Sequence, residues 1–251
     1  MKGAIAVILC LIAQLAGAES LVTGVSRDNV QITADFTGSD ILVYGAVRRE
    51  SPAPKTPLDV VVTLEGPSSS VIVRRKQQRF GIWVNGPATE LADVPSYFAI
   101  ASTGPLAFVL SANDNWRHKI TLDRRVNVTK VTAESMDFSE FSQAVQRIGA
   151  QQGAYLTNSN GVQLAQETLF RADFVLPANL IEGDYRLRMF LLRRGQVIDV
   201  KEQSIDVHKA GIERYLTNMA EHQPLLYGIV SLLMAALAGW AASETFRLLR
   251  R

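Results

Sequence analysis

Three histidines and one cysteine are the only imidazole and thiol groups in the sequence, and their placement points to neither metal nor thiol chemistry. His118, His208 and His222 fall in no ligand spacing such as H-x-x-x-H, which would bring two imidazoles to one helix face. No G-x-S-x-G nucleophile turn, P-loop or H-E-x-x-H run occurs. The acidic residues form no compact cluster of the kind a calcium loop needs. Asn113-Asp114-Asn115 does supply alternating oxygens, but it reads as a loop between strands. Trp83 and Trp116 can line a ligand site, yet Trp83 sits in the strand-like run 80–84 and reads as a core side chain. No catalytic, cofactor-binding or metal-ligating residue is assigned. The expected class is non-enzymatic, without a cofactor.

The spacing with the clearest physical meaning lies near the C-terminus. Residues 223–243 carry no charged side chain, a length that suits one helical crossing of a bilayer. Within it, Ser231, Ala235, Gly239 and Ser243 recur every four residues. Such a stripe of small side chains lets a second helix backbone approach closely in lipid. The same stripe is also what an alanine-rich membrane helix shows by composition alone. Arg247, Arg250 and Arg251 follow, and the positive-inside rule then expects the tail in the cytoplasm and the preceding residues on the other side.

The N-terminus is consistent with export. Lys2, the apolar run 4–15 and Ala16-Gly17-Ala18 have the form of a secretory signal, expected to occupy residues 1–18 with Glu19 as the first mature residue. An uncleaved anchor is the other reading. Cys10, the single cysteine, lies in this segment, so residues after 18 can form no disulfide and must be held by their core. An exported region without disulfides suits the envelope of a bacterium.

The net charge is +2, and the basic residues are clustered, most densely at Arg74, Arg75, Lys76 and Arg79. In an exported chain this cluster is not expected to bind nucleic acid. It reads as a solvated hairpin, with contact to anionic lipid headgroups or an acidic partner as the second reading.

The elements between the two apolar ends are mostly strands. Alternation over 30–36, then runs at 41–47, 58–64, 71–77, 80–84, 97–102 and 106–110, predict seven or so short strands over 19–115, the pattern of a β-sandwich. Residues 116–209 are expected to form a second β-rich unit, either a separate domain or part of the first. Residues 120–131 are expected to be extended, helical spacing is seen over 138–152, and strands follow at 162–176, 185–193 and 196–207. Asp137 or Ser135 is expected to start the helix, and Gly149 or Gly153 to end it. Residues 193–196 read as a hairpin tip. Gly183-Asp184-Tyr185 reads either as the corner of an Ig-like sandwich, with the tyrosine ring tucked inward, or as an ordinary strand start. Residues 210–223 are either an amphipathic helix on the membrane surface or an outward extension of the membrane helix at 224–243; residues 244–251 form the basic tail. The expected fold is therefore mainly β, an Ig-like β-sandwich ectodomain with one inserted helix, plus one C-terminal transmembrane helix.

Several phrases are similar to the alphaproteobacterial putative transmembrane protein family. They include Gly81-Ile82-Trp83-Val84-Asn85-Gly86-Pro87, Val94-Pro95-Ser96-Tyr97-Phe98-Ala99, Thr168-Leu169-Phe170-Arg171-Ala172 and the corner from Leu176-Pro177-Ala178 to Tyr185. Leu225-Leu226-Tyr227-Gly228, Gly239-Trp240 and Phe246-Arg247 extend the likeness, which runs from about residue 21 to 246. The family has no established activity. The resemblance implies a Gram-negative inner-membrane protein, and gene neighbourhoods in the family suggest a permease of the sulfite-exporter type as a partner. Three function classes stay open: an accessory subunit docked on another membrane protein or on itself, an anchored ligand-binding or adhesion module, and an enzyme with an unrecognised site.

Overall fold

Strict alternation of apolar and polar residues builds half-buried strands, while unbroken β-branched runs build strands covered on both faces. Both kinds occur here. The computed structural model describes residues 19–33, 36–50, 54, 56–131, 138–209 and 219–249. The expected signal peptide, Ser135, Asp137, most of the juxtamembrane segment and the last two residues lie outside these.

Two units are distinguished, one of residues 1–30 and 37–207 and one of residues 31–36 and 208–251. The β-rich chain runs through β1 (Ser20–Val25), β2 (Asn29–Ile32), β3 (Ser39–Arg48), β4 (Leu58–Glu65), β5 (Ser68–Arg79), β6 (Ile82–Pro95) and β7 (Phe98–Ser102). Three short helices follow, α1 (Leu106–Val109), α2 (Ala112–His118) and α3 (Leu122–Arg125), then β8 (Asn127–Val131) and α4 (Phe138–Gln151). The remaining strands are β9 (Tyr155–Asn158), β10 (Val162–Ala165), β11 (Leu169–Leu176), β12 (Gly183–Arg193) and β13 (Gln196–Lys209).

These strands form three sheets, ordered β1-β3-β11-β10, β2-β13-β12-β4-β7-β9 and β5-β6-β8. The pairing of β7 with β9 is parallel, whereas β3–β11, β12–β4 and β12–β13 are antiparallel. β11 alternates fully, burying Phe170, Ala172, Phe174 and Leu176 and exposing the residues between them. β4 and β12 are buried on both faces. One face of this second sheet meets the first, since β4 contacts β10 and β11. The other face carries Val61, Phe98, Ile100, Phe190 and Leu192 against Val109, Leu110 and Ile120 of the short-helix layer. The third sheet is closed at its root by Leu91, Val94, Val126 and Phe141.

The segments 19–115 and 116–209 are not separate domains. β11 pairs along β3 and β12 along β4, so each main sheet takes strands from both segments. Local strand signals cannot reveal such long-range pairing.

Three local expectations also change. Within the expected strand 106–110, Leu106–Val109 form α1 and Leu110 caps its end, because so short an apolar run has no readable period. Asn113-Asp114-Asn115 lies in α2, whose start is capped by the Ser111 hydroxyl accepting from the Asp114 amide at 3.2 Å. Residues 120–131 hold α3 before β8 begins.

Other expectations hold. The Arg194-Gly195 tip has φ of 52° and 77°, the positive values a tight hairpin turn needs. Gly153, at φ +71°, follows the end of α4. Gly149 instead lies inside that helix, where a Cβ would come within 2.2 Å of the Tyr155 ring. Tyr185 is buried and its hydroxyl donates to the Ile181 carbonyl at 3.0 Å, the corner arrangement.

Charged clamps tie the sheets at one edge. Glu19, directly before β1, accepts from Arg49 Nε at 2.7 Å and from Arg193 Nη2 at 2.8 Å. Burial opposes the Glu19 charge, but the hydrogen bonds and charges of the two arginines outweigh it and hold its carboxyl below the usual range. A lowered folded-state pKa adds stability that is present above the unfolded value near 4.5 and is lost as pH falls through the folded value. Glu19→Gln should therefore melt below the native protein at neutral pH, and the gap between their melting temperatures should narrow below about pH 4. A gap of equal size at pH 7 and pH 3 would remove the ion pairs from the account.

The second unit contains α5 (Pro224–Leu249). Its span Pro224–Ser243 has a mean hydropathy of 1.9 and none of it is buried. Apolar residues face every direction around it, as a helix surrounded by lipid requires.

Candidate functional site

Ser231, Ala235, Gly239 and Ser243 all lie on α5, and all four are exposed. Four residues advance a helix by about 40° beyond a full turn, so the stripe winds slowly along one side. A Cβ added at Gly239 would meet nothing within 4 Å. Large side chains lie elsewhere on the helix, among them Leu225, Leu232, Met234 and Trp240, all strongly exposed, but so do Ala236, Ala238, Ala241 and Ala242. Small side chains at four-residue spacing are what close packing of two helices in lipid requires.

The β-rich unit holds two clefts of interest. One, of about 450 Å³, runs between β5 and α4, with Arg74, Arg75 and Arg147 among its lining residues and Glu140 as its acid. Arg75 and Glu140 pair there at 3.1 Å, both well exposed.

The other, about 360 Å³, is polar and lined by Glu65, Asp93 and Asp184 together with Lys119, Arg125 and Arg186. Opposite charges balance in it. At its root the buried Glu65 carboxylate meets Arg125, whose Nε donates to Oε1 at 3.0 Å and whose Nη2 also pairs with it. Arg188 Nη2 stands 3.9 Å from the other Glu65 oxygen. Arg188 also donates to the His118 and Lys119 carbonyls at 2.8 and 3.0 Å, closing the C-terminal end of α2. Burial, then the like charge of Arg125, lowers the Arg188 pKa, while Glu65 opposes the shift. The guanidinium stays charged because its ordinary value is so high. Glu65 Oε2 and Arg188 Nε are buried and accept or donate no hydrogen bond.

The sequence did not signal this cluster, because its members lie on β4, α3 and β12 and meet only through strand pairing and helix packing. Asp114, Asn115 and His118 have structural roles instead. Asp114 Oδ2 accepts from the Val197 amide at 3.3 Å, and Asn115 Oδ1 accepts from the Thr121 amide at 3.1 Å. His118 sets its ring edge-on to Phe190 at 6.1 Å. Trp83 is not in the core: it is 67% exposed near the tip of the β5–β6 hairpin, beyond the reach of the layer that covers the hairpin root. Trp116 is likewise exposed. Among the described residues, no group of three or more His, Cys, Asp or Glu side chains is placed to hold a metal ion.

A β-rich unit of stacked sheets and a helix whose uncharged span Pro224–Ser243 is unburied define a membrane protein with a β-rich domain and a C-terminal candidate transmembrane helix. The chain belongs to the family described as "Putative transmembrane protein (Alph_Pro_TM)", whose profile matches residues 20–248. Neither a curated protein nor a solved structure matches it.

Proposed function

We propose that this chain is a non-enzymatic, single-pass inner-membrane protein whose β-rich unit lies in the periplasm and whose helix docks on another membrane protein, as an accessory subunit. One observation carries the reading. Helix α5 is exposed along its whole apolar span and bears a seam of four small residues, Ser231, Ala235, Gly239 and Ser243. Packing and close backbone approach are the main attractions between helices in lipid. The trailing arginines support a cytoplasmic tail, and the apolar run within residues 1–18 supports export. A permease of the sulfite-exporter type is a partner to seek first, with a second copy of this chain as the other.

The test is crosslinking of the intact protein in native membranes through a photoreactive residue beside the seam. Gly239→Leu should reduce the crosslinked product at least about tenfold, the loss of close packing, while leaving membrane insertion intact. Leu233→Ala, about 200° around the helix from Ser231 and Ala235, should change it little. Equal crosslinking in all three proteins would sink the docking reading. A reporter that works only in the cytoplasm, fused after Arg251, should be active; activity of a periplasm-only reporter there would reverse the topology.

The polar cleft at Glu65 favours a second reading, an anchored module that binds a small polar molecule. A ligand that raises the melting temperature of the native protein but not of Glu65→Gln would favour it.

A further inference from the structure

The β5–β6 hairpin places its largest apolar side chains where folding has no use for them. Its turn is Phe80-Gly81, with φ of 51° and 81°. Asparagine and glycine adopt such values readily, and a bulky side chain does so only at a cost. Phe80 nonetheless holds this position fully exposed, and Ile82 beside it is 64% exposed. Trp83, the next residue along β6, is exposed as well. Arg79 adjoins the tip, Lys76 and Arg74 lie further back along β5, and all three are exposed. No acidic residue occurs between Glu65 and Glu90, so the distal part of the hairpin carries only positive charge, and Glu90 and Asp93 lie at its root. Among the described residues, only Arg75 of this cluster is engaged in an ion pair, with Glu140.

We propose that this hairpin tip is a second membrane contact. Phe80, Ile82 and Trp83 enter the boundary between headgroups and acyl chains, and Arg74, Lys76 and Arg79 bind the phosphates of anionic phospholipid. A convex apolar tip needs a deformable surface rather than a preformed pocket, and cations set back from it match the depth of the headgroups. Tryptophan, with an apolar ring and one N–H donor, suits that boundary. The chain is itself held at a bilayer by α5. Residues 210–223 extend at most about 50 Å, which keeps lipid at high effective concentration around the hairpin. A weak contact then suffices to hold the β-rich unit down on the membrane surface. The proposal is independent of what α5 docks against.

The experiment uses the full chain with Trp116→Phe and Trp240→Phe, both exposed positions, so that Trp83 reports alone. The protein is reconstituted into vesicles of phosphatidylcholine with and without phosphatidylglycerol. With phosphatidylglycerol, Trp83 emission should shift to the blue and be quenched by brominated acyl chains, and high salt should reverse both. Arg74→Gln, Lys76→Gln and Arg79→Gln should each lower the ratio of lipid-inserted to water-exposed Trp83, read from its emission, about fivefold. Phe80→Asn gives the turn its favoured Asn-Gly pair. It should keep or raise the melting temperature while weakening the contact about tenfold or more. Water-like, unquenched Trp83 emission in both vesicle types would overturn the proposal. So would protection of Trp83 that appears only in native membranes and resists quenching by brominated lipid, because the occupant would then be a protein.

Discussion

Replacing Arg188 by leucine is expected to destabilise the β-rich unit by about 3–5 kcal/mol, because it strips a buried ion cluster of one partner. The Glu65 carboxylate would keep Arg125 but lose the second cation 3.9 Å away. The His118 and Lys119 carbonyls would lose their donor, and with it the link between α2 and β12. Urea denaturation of the intact protein in mild detergent, followed by the strand signal in circular dichroism, reads the change. A loss below about 1 kcal/mol, the range of a surface pair, would show that solvent reaches the cluster. Adding Glu65→Leu to Arg188→Leu should recover part of the loss. No carboxylate is then left buried, and Arg125, at 18% side-chain exposure, can turn to solvent.

Phe190→Ala should cost about 3–5 kcal/mol by emptying the layer between the second sheet and the short helices. The ring is buried and packs within the cluster that includes Val61, Ile100, Val109, Leu110, Ile120 and Leu192. None of these can close a void of that size without moving strand or helix backbone. The Arg188 guanidinium lies over the same ring, 5.2 Å from its centroid. The double variant should therefore fall short of the summed losses by about 1 kcal/mol, since the shared contact is removed once. Full additivity in a denaturation cycle would count against any coupling between the two. Each single loss is a large fraction of the total stability of an ordinary domain, so both variants should also be cleaved faster by protease than the native chain.

The α5 seam requires only a helix, and its residues meet by spacing alone. The hairpin contact requires knowledge of which side chains the core leaves outside. The cleft at Glu65 requires the complete sheet order.

Features that depend on near neighbours can be read along the chain. An uncharged stretch long enough to cross a bilayer must be a helix, because lipid leaves no other partner for its backbone. The hairpin tip at Arg194-Gly195, the Tyr185 corner and the helix over Phe138–Gln151 were legible for the same reason: turn chemistry and helical spacing are written within a few residues. Tertiary structure decided the rest. The apolar run before Ser111 became α1 because the outer face of the second sheet needed cover, and short apolar runs do not state their own period. Trp83 lies outside the core because the covering layer ends at the hairpin root, a boundary set by residues far away in the chain. Glu65, Arg125 and Arg188 came together only when β12 paired with β4 and α3 packed over them. No local pattern can encode a contact that the chain makes only after its strands have chosen their partners.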